Sequence, residues 1–293
     1  MIAFLFPGQG AQFEGMGRAL TERDNTNVDK MMKIAHEILG FDLLDFMVNG
    51  TEQELKRTDV TQPALFVQSL AKLELAAEGL EMSAAAGHSL GEFSALVAAG
   101  VLPFEEGLEL VKTRANAMQH ACELTDGTMA AIVGMEDEKV EEVCAAIEDV
   151  VVPANYNSPG QIVISGSVSG VHKAVDALKE AGAKRAILLQ VGGAFHSPLM
   201  QPAREELASK INEMTFHTAQ CPVYQNVDAK PHTDSEIIKQ NLLEQLTSPV
   251  RWTDTMRQML LDGVDEMIEV GGNGKVLRGL MRRIDRNFPI SAI

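Results

Sequence analysis

Short apolar runs that alternate with helix-length amphipathic stretches predict an α/β fold for this sequence, built on a largely parallel sheet with a small unit inserted. Three observations carry that expectation. The short runs end at glycine or proline, as buried strands do, and the longer stretches repeat their apolar residues at helical spacing. Residues 126–192 break this rhythm and run strand, helix, strand, strand, helix, strand, the ferredoxin-like order. The chain has 293 residues, 45% of them hydrophobic, enough for a large core.

Each element follows from local chemistry. Ile2–Phe6 reads as a buried strand broken by the turn Pro7-Gly8-Gln9-Gly10. Helical patterns lie near 28–38 and 64–78, the second opened by Pro63, whose missing N–H suits a first helical turn. Thr51 with Glu54 makes a capping box for a short helix. The small residues of Met82–Ala86 suit a tightly flanked central strand, which leads into Gly87-His88-Ser89-Leu90-Gly91 and a helix from Glu92 to Ala99. Gly100 closes that helix, and Pro103 starts another over about 104–120.

In the inserted unit, Thr128–Met135 is strand-like and Glu138–Ile147 is an acidic amphipathic helix. Val150–Ala154 and Gln161–Ser165 read as strands around the turn Asn157-Ser158-Pro159-Gly160. Val171–Ala181 is helical and Arg185–Val191 is a strand. Beyond it come a helix near 198–213, a strand at Pro222–Val227, and helices near 235–246 and 252–262. A strand at Glu266–Val270 precedes the loop Gly271-Gly272-Asn273-Gly274, a basic helix near 275–284 and a last strand, Ile290–Ile293. The expected division is a large unit of residues 1–125 and 197–293, interrupted by a small one at 126–196.

Composition excludes several classes of function. A net charge of −16 and a pI of about 4.9 repel polyphosphate and argue against nucleic-acid binding. Cys122, Cys144 and Cys221 are widely spaced, in no CxxC pair and at no metal-ligand spacing, so they read as small hydrophobes of a reducing compartment. The apolar start stops at Pro7 with no basic stretch before it, too short for a secretion signal. No apolar run approaches the roughly 20 residues that span a bilayer. A cytoplasmic protein with no membrane association is expected, and nothing demands more than a monomer.

The chemistry concentrates at Gly87–Gly91. A serine between a strand and a helix can be forced onto a sharp turn, Oγ exposed, with the next N–H and the helix N-terminus facing the same space. Side chains at either glycine would collide with the flanking strand and helix. The alternative is a plain turn serine. A nucleophilic serine needs a base. His36, His120, His172 and His217 lie in polar or helical surroundings, His232 lies in a polar turn, and His88 must point away from its neighbour Ser89. His196 remains, just after a strand, where active-site residues gather in α/β folds, though it could be a loop histidine without a role. Arg114 shares a helix face with Gly107, Val111 and Met118, all small or apolar. A guanidinium there demands an anion, either an internal carboxylate or a ligand's. Gln9 could offer a backbone N–H to an oxyanion or could simply end a strand. Neither Gly8–Gly10 nor Gly271–Lys275 fits a nucleotide-binding loop.

Taken together, Phe6–Gly10 (FPGQG), Gly87–Phe93 (GHSLGEF), Thr128–Gly134 (TMAAIVG), Asn155–Gly166 (NYNSPGQIVISG), Ala194–Ser197 (AFHS), Asn226–Pro231 (NVDAKP) and Pro249–Thr253 (PVRWT) resemble the malonyl-CoA:acyl carrier protein transacylases over nearly the whole chain. The resemblance implies an α/β-hydrolase-like core with an inserted ferredoxin-like subdomain. It implies Ser89 as nucleophile, His196 as general base, the N–H groups of Gln9 and Leu90 as oxyanion hole, and Arg114 as the carboxylate-binding residue. It assigns the main-chain carbonyl that orients the histidine to Arg251, where many relatives have glutamine. Phe195 beside the histidine, together with Leu90, implies a preference for malonyl over methylmalonyl, because a bulky ring leaves no room for an α-methyl group.

The implied substrates are malonyl-CoA and the phosphopantetheine thiol of an acyl carrier protein, for fatty acid or polyketide synthesis, with coenzyme A thioester as substrate and no permanently bound cofactor. Relatives usually have a G-P-G-K loop before the last helix and serine at position 192, so Gly271–Gly274 and Gly192 could alter the geometry nearby. Carrier proteins of this type are acidic, so docking calls for a local basic patch: Lys275, Arg278, Arg282, Arg283 and Arg286, or Lys184-Arg185, unless these are only solvated faces. One rival reading is a serine thioesterase or hydrolase, whose third acid would have to be Asp126, Asp149 or Asp176. The other is a noncatalytic carrier-protein-binding module, against which the set of Ser89, His196 and Arg114 argues.

Overall fold

The computed structural model describes residues 1–22, 25–76 and 80–293. Its strands in chain order are β1 (Ile2–Phe6), β2 (Ala84–Gly87), β3 (Gly127–Val133), β4 (Val151–Ser158) and β5 (Gln161–Ser167). β6 (Arg185–Leu188), β7 (Val223–Tyr224), β8 (Pro231–His232), β9 (Glu266–Glu269) and β10 (Ile290–Ala292) follow. A six-stranded sheet has the order β10-β9-β1-β2-β7-β8, parallel throughout except for the β7–β8 pair. A four-stranded antiparallel sheet has the order β4-β5-β3-β6. These are the α/β architecture and the ferredoxin-like insertion that the sequence predicts.

β1 shows why the larger sheet needs cover on both faces. Side chains alternate across a strand, so Phe4 and Phe6 enter one apolar cluster while Ala3 and Leu5 enter the other. Phe66, Leu65 and Phe93 pack on the first side, and Trp252, Met256 and Met281 on the second. The small sheet has its own core, in which Ala130, Ile132, Ile162 and Ile164 meet Val140, Val171 and Val175 of the helices Asp137–Ala145 and Val168–Glu180. Its other face, with Met129 and Val163, turns toward the main core. The edge strand β4 of the small sheet is tied to the segment before the helix Trp252–Leu261, where Val250 N–H donates to Ala154 O at 2.8 Å and Tyr156 N–H donates to Val250 O at 2.9 Å.

Several boundaries differ from expectation. Pro63 lies inside the helix Thr58–Ala76, not at its start, because Arg57 O already accepts the N–H groups of Val60 and Thr61. The expected end of that helix, at 77–78, falls outside the described residues. Residues 60–71 are buried on every side, so its polar residues Gln62, Gln68 and Ser69 lie in the interior. The helix Leu43–Asn49 and strand β8 were not expected. β7 spans two residues of the predicted 222–227, and β6 stops at Leu188, releasing the chain that carries Phe195 and His196.

The order β9-β1-β2-β7 places four loops in a row at the carboxyl edge of the parallel strands: 271–274, 7–10, 88–90 and 225–226. That edge is where a ligand site forms in an open α/β sheet.

Candidate active site

The turn after β2 carries Ser89 in the left-handed region, at φ 53°. The flanking glycines are needed for space: a methyl group at Gly87 would overlap the Gly91 carbonyl, and one at Gly91 would overlap Phe6 O. Ser89 Oγ lies 2.8 Å from His196 Nε2. His196 also has positive φ, 56°, and is buried. Its Nδ1 faces two main-chain acceptors, Gln245 O at 3.0 Å and Ser248 O at 3.2 Å. Two acceptors hold the proton on Nδ1, which leaves the Nε2 lone pair toward the serine hydroxyl. Arg251 does not orient the histidine: its carbonyl accepts from Thr255 N–H and Oγ1 instead, because the chain has already entered the helix Trp252–Leu261.

Arg114 on the helix Phe104–Leu124 is buried, and no carboxylate pairs with it among the described residues. Its Nη1 donates to Gln62 Oε1 at 2.8 Å, and its Nη2 to Ser89 Oγ at 3.0 Å and Gln245 Oε1 at 3.3 Å. The guanidinium lies 5.5 Å from the Phe93 ring centroid. Amides orient the cation without neutralising it, so the charge stays available to an incoming anion. Burial lowers its pKa to about 9, opposed by the nearby charge of Glu92, and the group stays a cation at neutral pH. Burial first, and then the Arg114 charge, push His196 down to about 3, against the pull of the Gln245 carbonyl. The imidazole is therefore neutral and able to accept a proton.

The Pro7–Gly10 turn presses on the serine turn, where a methyl group at Gly8 would overlap the His88 carbonyl and stand 3.6 Å from Leu90 N. The N–H groups of Gln9 and Leu90 find no protein acceptor among the described residues. His88 points away from Oγ, bonding Asn157 Oδ1 at 2.8 Å and packing against Trp252. The other histidines of helical or polar surroundings, 36, 120, 172 and 217, are exposed.

A cleft of about 180 Å³ opens over Ser89. Gln9, Arg114 and Met118 line it from the main sheet's side, Met129, Asn155 and Val163 from the small sheet, and Leu189, Val191 and Phe195 from the chain that leaves β6. That volume is below the ~300–1,000 Å³ of drug-sized pockets and suits a short acyl group. No group of metal-ligating side chains occurs among the described residues.

Three amides that hold Arg114 and the serine turn were not expected from the sequence: Gln62, Gln245 and Asn226. Asn226 Oδ1 accepts Ser89 N–H at 2.8 Å and its Nδ2 donates to Gly87 O at 2.7 Å, while Gln245 Nε2 donates to Ser89 O at 2.9 Å. The only signal was Asn226 inside the NVDAKP segment. The Gly271–Gly274 loop does reach the site's surroundings, with Asn273 N–H on Ala11 O at 3.1 Å, whereas nothing lies within 4 Å of a methyl group placed on Gly192.

Comparison with known proteins accords with this geometry. A family model for the acyl transferase domain matches residues 3–290. The malonyl CoA-acyl carrier protein transacylase of Bacillus subtilis (strain 168) is 43% identical over 296 residues, spanning 100% of this chain and 93% of that protein. The crystal structure of an acyl carrier protein S-malonyltransferase from Vibrio cholerae superposes with a TM-score of 0.94 at 44% identity, covering 100% of this chain and 96% of the other. A malonyl-transacylase in complex with its type II PKS acyl-carrier protein superposes at 0.93 with 41% identity, covering 99% and 94%. The chain belongs to the acyl transferase family, among the malonyl CoA-acyl carrier protein transacylases.

Proposed function

We propose that this enzyme moves a malonyl group from malonyl-CoA to the phosphopantetheine thiol of an acyl carrier protein, by a ping-pong reaction through a malonyl ester on Ser89. The observation that carries the reading is one oxygen held between an imidazole and a free cation: Ser89 Oγ is 2.8 Å from His196 Nε2 and 3.0 Å from Arg114 Nη2. Arg114 takes the distal carboxylate of the malonyl group, which leaves the thioester carbon beside Oγ. His196 Nε2 accepts the serine proton as the Oγ–C bond forms, and the oxyanion rests on the N–H groups of Gln9 and Leu90. The C–S bond then breaks, and the Nε2 proton passes to the coenzyme A sulfur. The carrier's thiol reverses these steps, giving its proton to Nε2 while Oγ leaves and is reprotonated.

Phe195 and the apolar cleft wall select malonyl over methylmalonyl. Residues 126–196 form a subdomain that supplies this wall, and the cleft is complete within a monomer. The exposed basic residues Lys275, Arg282, Arg283 and Arg286, with half-buried Arg278, receive the acidic carrier. The site needs no resident cofactor, and the protein works in the cytoplasm. A hydrolase reading finds less support: His196 rests on carbonyls, not on a carboxylate, and Asp149 is paired with Lys173 at the surface.

Mass spectrometry of the intact protein mixed with malonyl-, methylmalonyl- and acetyl-CoA tests the proposal. A malonyl adduct that appears in the wild type and is absent from Ser89→Ala is expected. Normal release of coenzyme A by that variant, or rapid hydrolysis to malonate without carrier, would overturn it.

A further inference from the structure

Behind the serine turn lies a carboxyl group in no ion pair. Glu92, in the first turn of the helix Gly91–Ala98, is fully buried. Among the described residues it makes no ion pair: Oε2 accepts Asn226 N–H at 2.8 Å and Oε1 accepts Gln225 Nε2 at 3.2 Å, with the Gln245 amide also near. A buried carboxylate is costly to keep and is retained only where donors converge on it. Here the donors belong to the residue that brackets the nucleophile. Asn226 grips Ser89 N–H and Gly87 O with its side chain, on either side of the left-handed serine. Gln225 is in turn fixed by Asn241 Nδ2 at 3.0 Å and Ile238 O at 3.1 Å. The path from the helix back to the serine is closed: Glu92 holds the Asn226 backbone, and the Asn226 side chain holds the Ser89 backbone.

We propose that Glu92 is a positioning residue for acyl transfer, which acts through Asn226 to hold Ser89 in its left-handed conformation with Oγ aimed at His196. This rests on Ser89 being the residue acylated. A glutamine at 92 keeps the shape but turns an NH2 toward one of the two donors, leaving that donor unpaired and the loop free to shift. Because Arg114 keeps a separate support in Gln62, at 2.8 Å, the loss falls on the chemical step and not on malonyl binding.

The test compares Glu92→Gln, Asn226→Ala and the double variant with wild type, by the rate of Ser89 acylation in a single turnover and by the malonyl-CoA concentration that half-saturates it. The expected result is an acylation rate lowered on the order of 10–100-fold in each single variant. Half-saturation should be unchanged, and the double variant should be no slower than the slower single. A full acylation rate in either folded variant overturns the proposal, as does a matching rise in half-saturation or a double variant whose losses multiply. If Glu92→Gln does not fold, Glu92→Asp, which keeps a carboxylate but draws it back from the loop, takes its place, and a full acylation rate in Asn226→Ala still overturns the proposal. Wild type that forms no adduct on Ser89 would defeat the functional reading itself, whereas adduct formation at the wild-type rate in the variants would defeat only the role of Glu92.

Discussion

Ser89 and His196 meet at 2.8 Å, each from a left-handed backbone conformation that non-glycine residues seldom adopt. Such strain persists only where the surroundings over-determine it, and here the bonds from Asn226, Gln245 and Ser248 do so. Arg114 shows the same economy, a cation held by amides and left unneutralised. Arg114→Ala should therefore lower malonyl transfer about 10–100-fold, the effect of one charged hydrogen bond of ~1.5–3 kcal/mol, while acetyl transfer stays level or rises. Equal loss with both thioesters would make Arg114 structural.

His196 yields a prediction with a definite sign. Burial and the Arg114 charge lower its pKa to about 3, so its ring nitrogens should keep the neutral-imidazole NMR signature at pH 5, where an imidazole in water, at about 6.5, is mostly protonated. A malonyl carboxylate on Arg114 offsets that repulsion, so the ring of the malonylated enzyme should titrate at higher pH than that of the free enzyme. The burial of Arg114 was legible in the sequence because the residue shares a helix face with small and apolar residues. The internal carboxylate that was one of its two expected partners is absent among the described residues. Gln62, Gln245 and Asn226 were not legible, because an uncharged amide is unremarkable on a surface or inside.

At the scale of elements, the strand–turn–helix around Ser89 was legible because its requirement is local: two glycines that must lie against a strand and a helix four residues apart. Helix starts and short edge strands were less so, since Pro63 suits a first turn equally well whether or not the chain has already begun to turn. The loop after β9 is a further case. Gly271, Gly272 and Gly274 all have positive φ, and a methyl group at Gly272 would stand 2.8 Å from Ala11 Cβ and 3.1 Å from Pro7 Cγ. The loop thus buttresses the turn that presents Gln9. Gly272→Ala should move that turn and lower kcat roughly 10-fold with little change in the KM for malonyl-CoA, as steady-state kinetics can check. An unchanged kcat would show the buttress to be slack.

Over the whole molecule, a net charge of −16 opposes any acidic partner, so productive encounter must use a local field of the other sign. The helix Val276–Ile284 carries Arg278, Arg282 and Arg283, and Arg283 reaches Gln161 Oε1 at 2.6 Å at the tip of the small sheet's hairpin. Reversing charge at Arg282 and Arg283 should raise the KM for the carrier protein at low salt and leave that for malonyl-CoA unchanged. An unaltered carrier KM would leave these residues as a solvated face.

The sequence by itself determined the layered α/β order, the insertion, the sharp serine turn and the apolar helix face that carries Arg114, because each follows from side-chain types and spacings. Only the tertiary structure decided which carbonyls hold His196 and which amides hold Arg114 and Ser89. A backbone carbonyl is the same group at Arg251 as at Gln245 and Ser248, so nothing in residue identity distinguishes them, and only the path of the chain brings one within 3.0 Å of the imidazole.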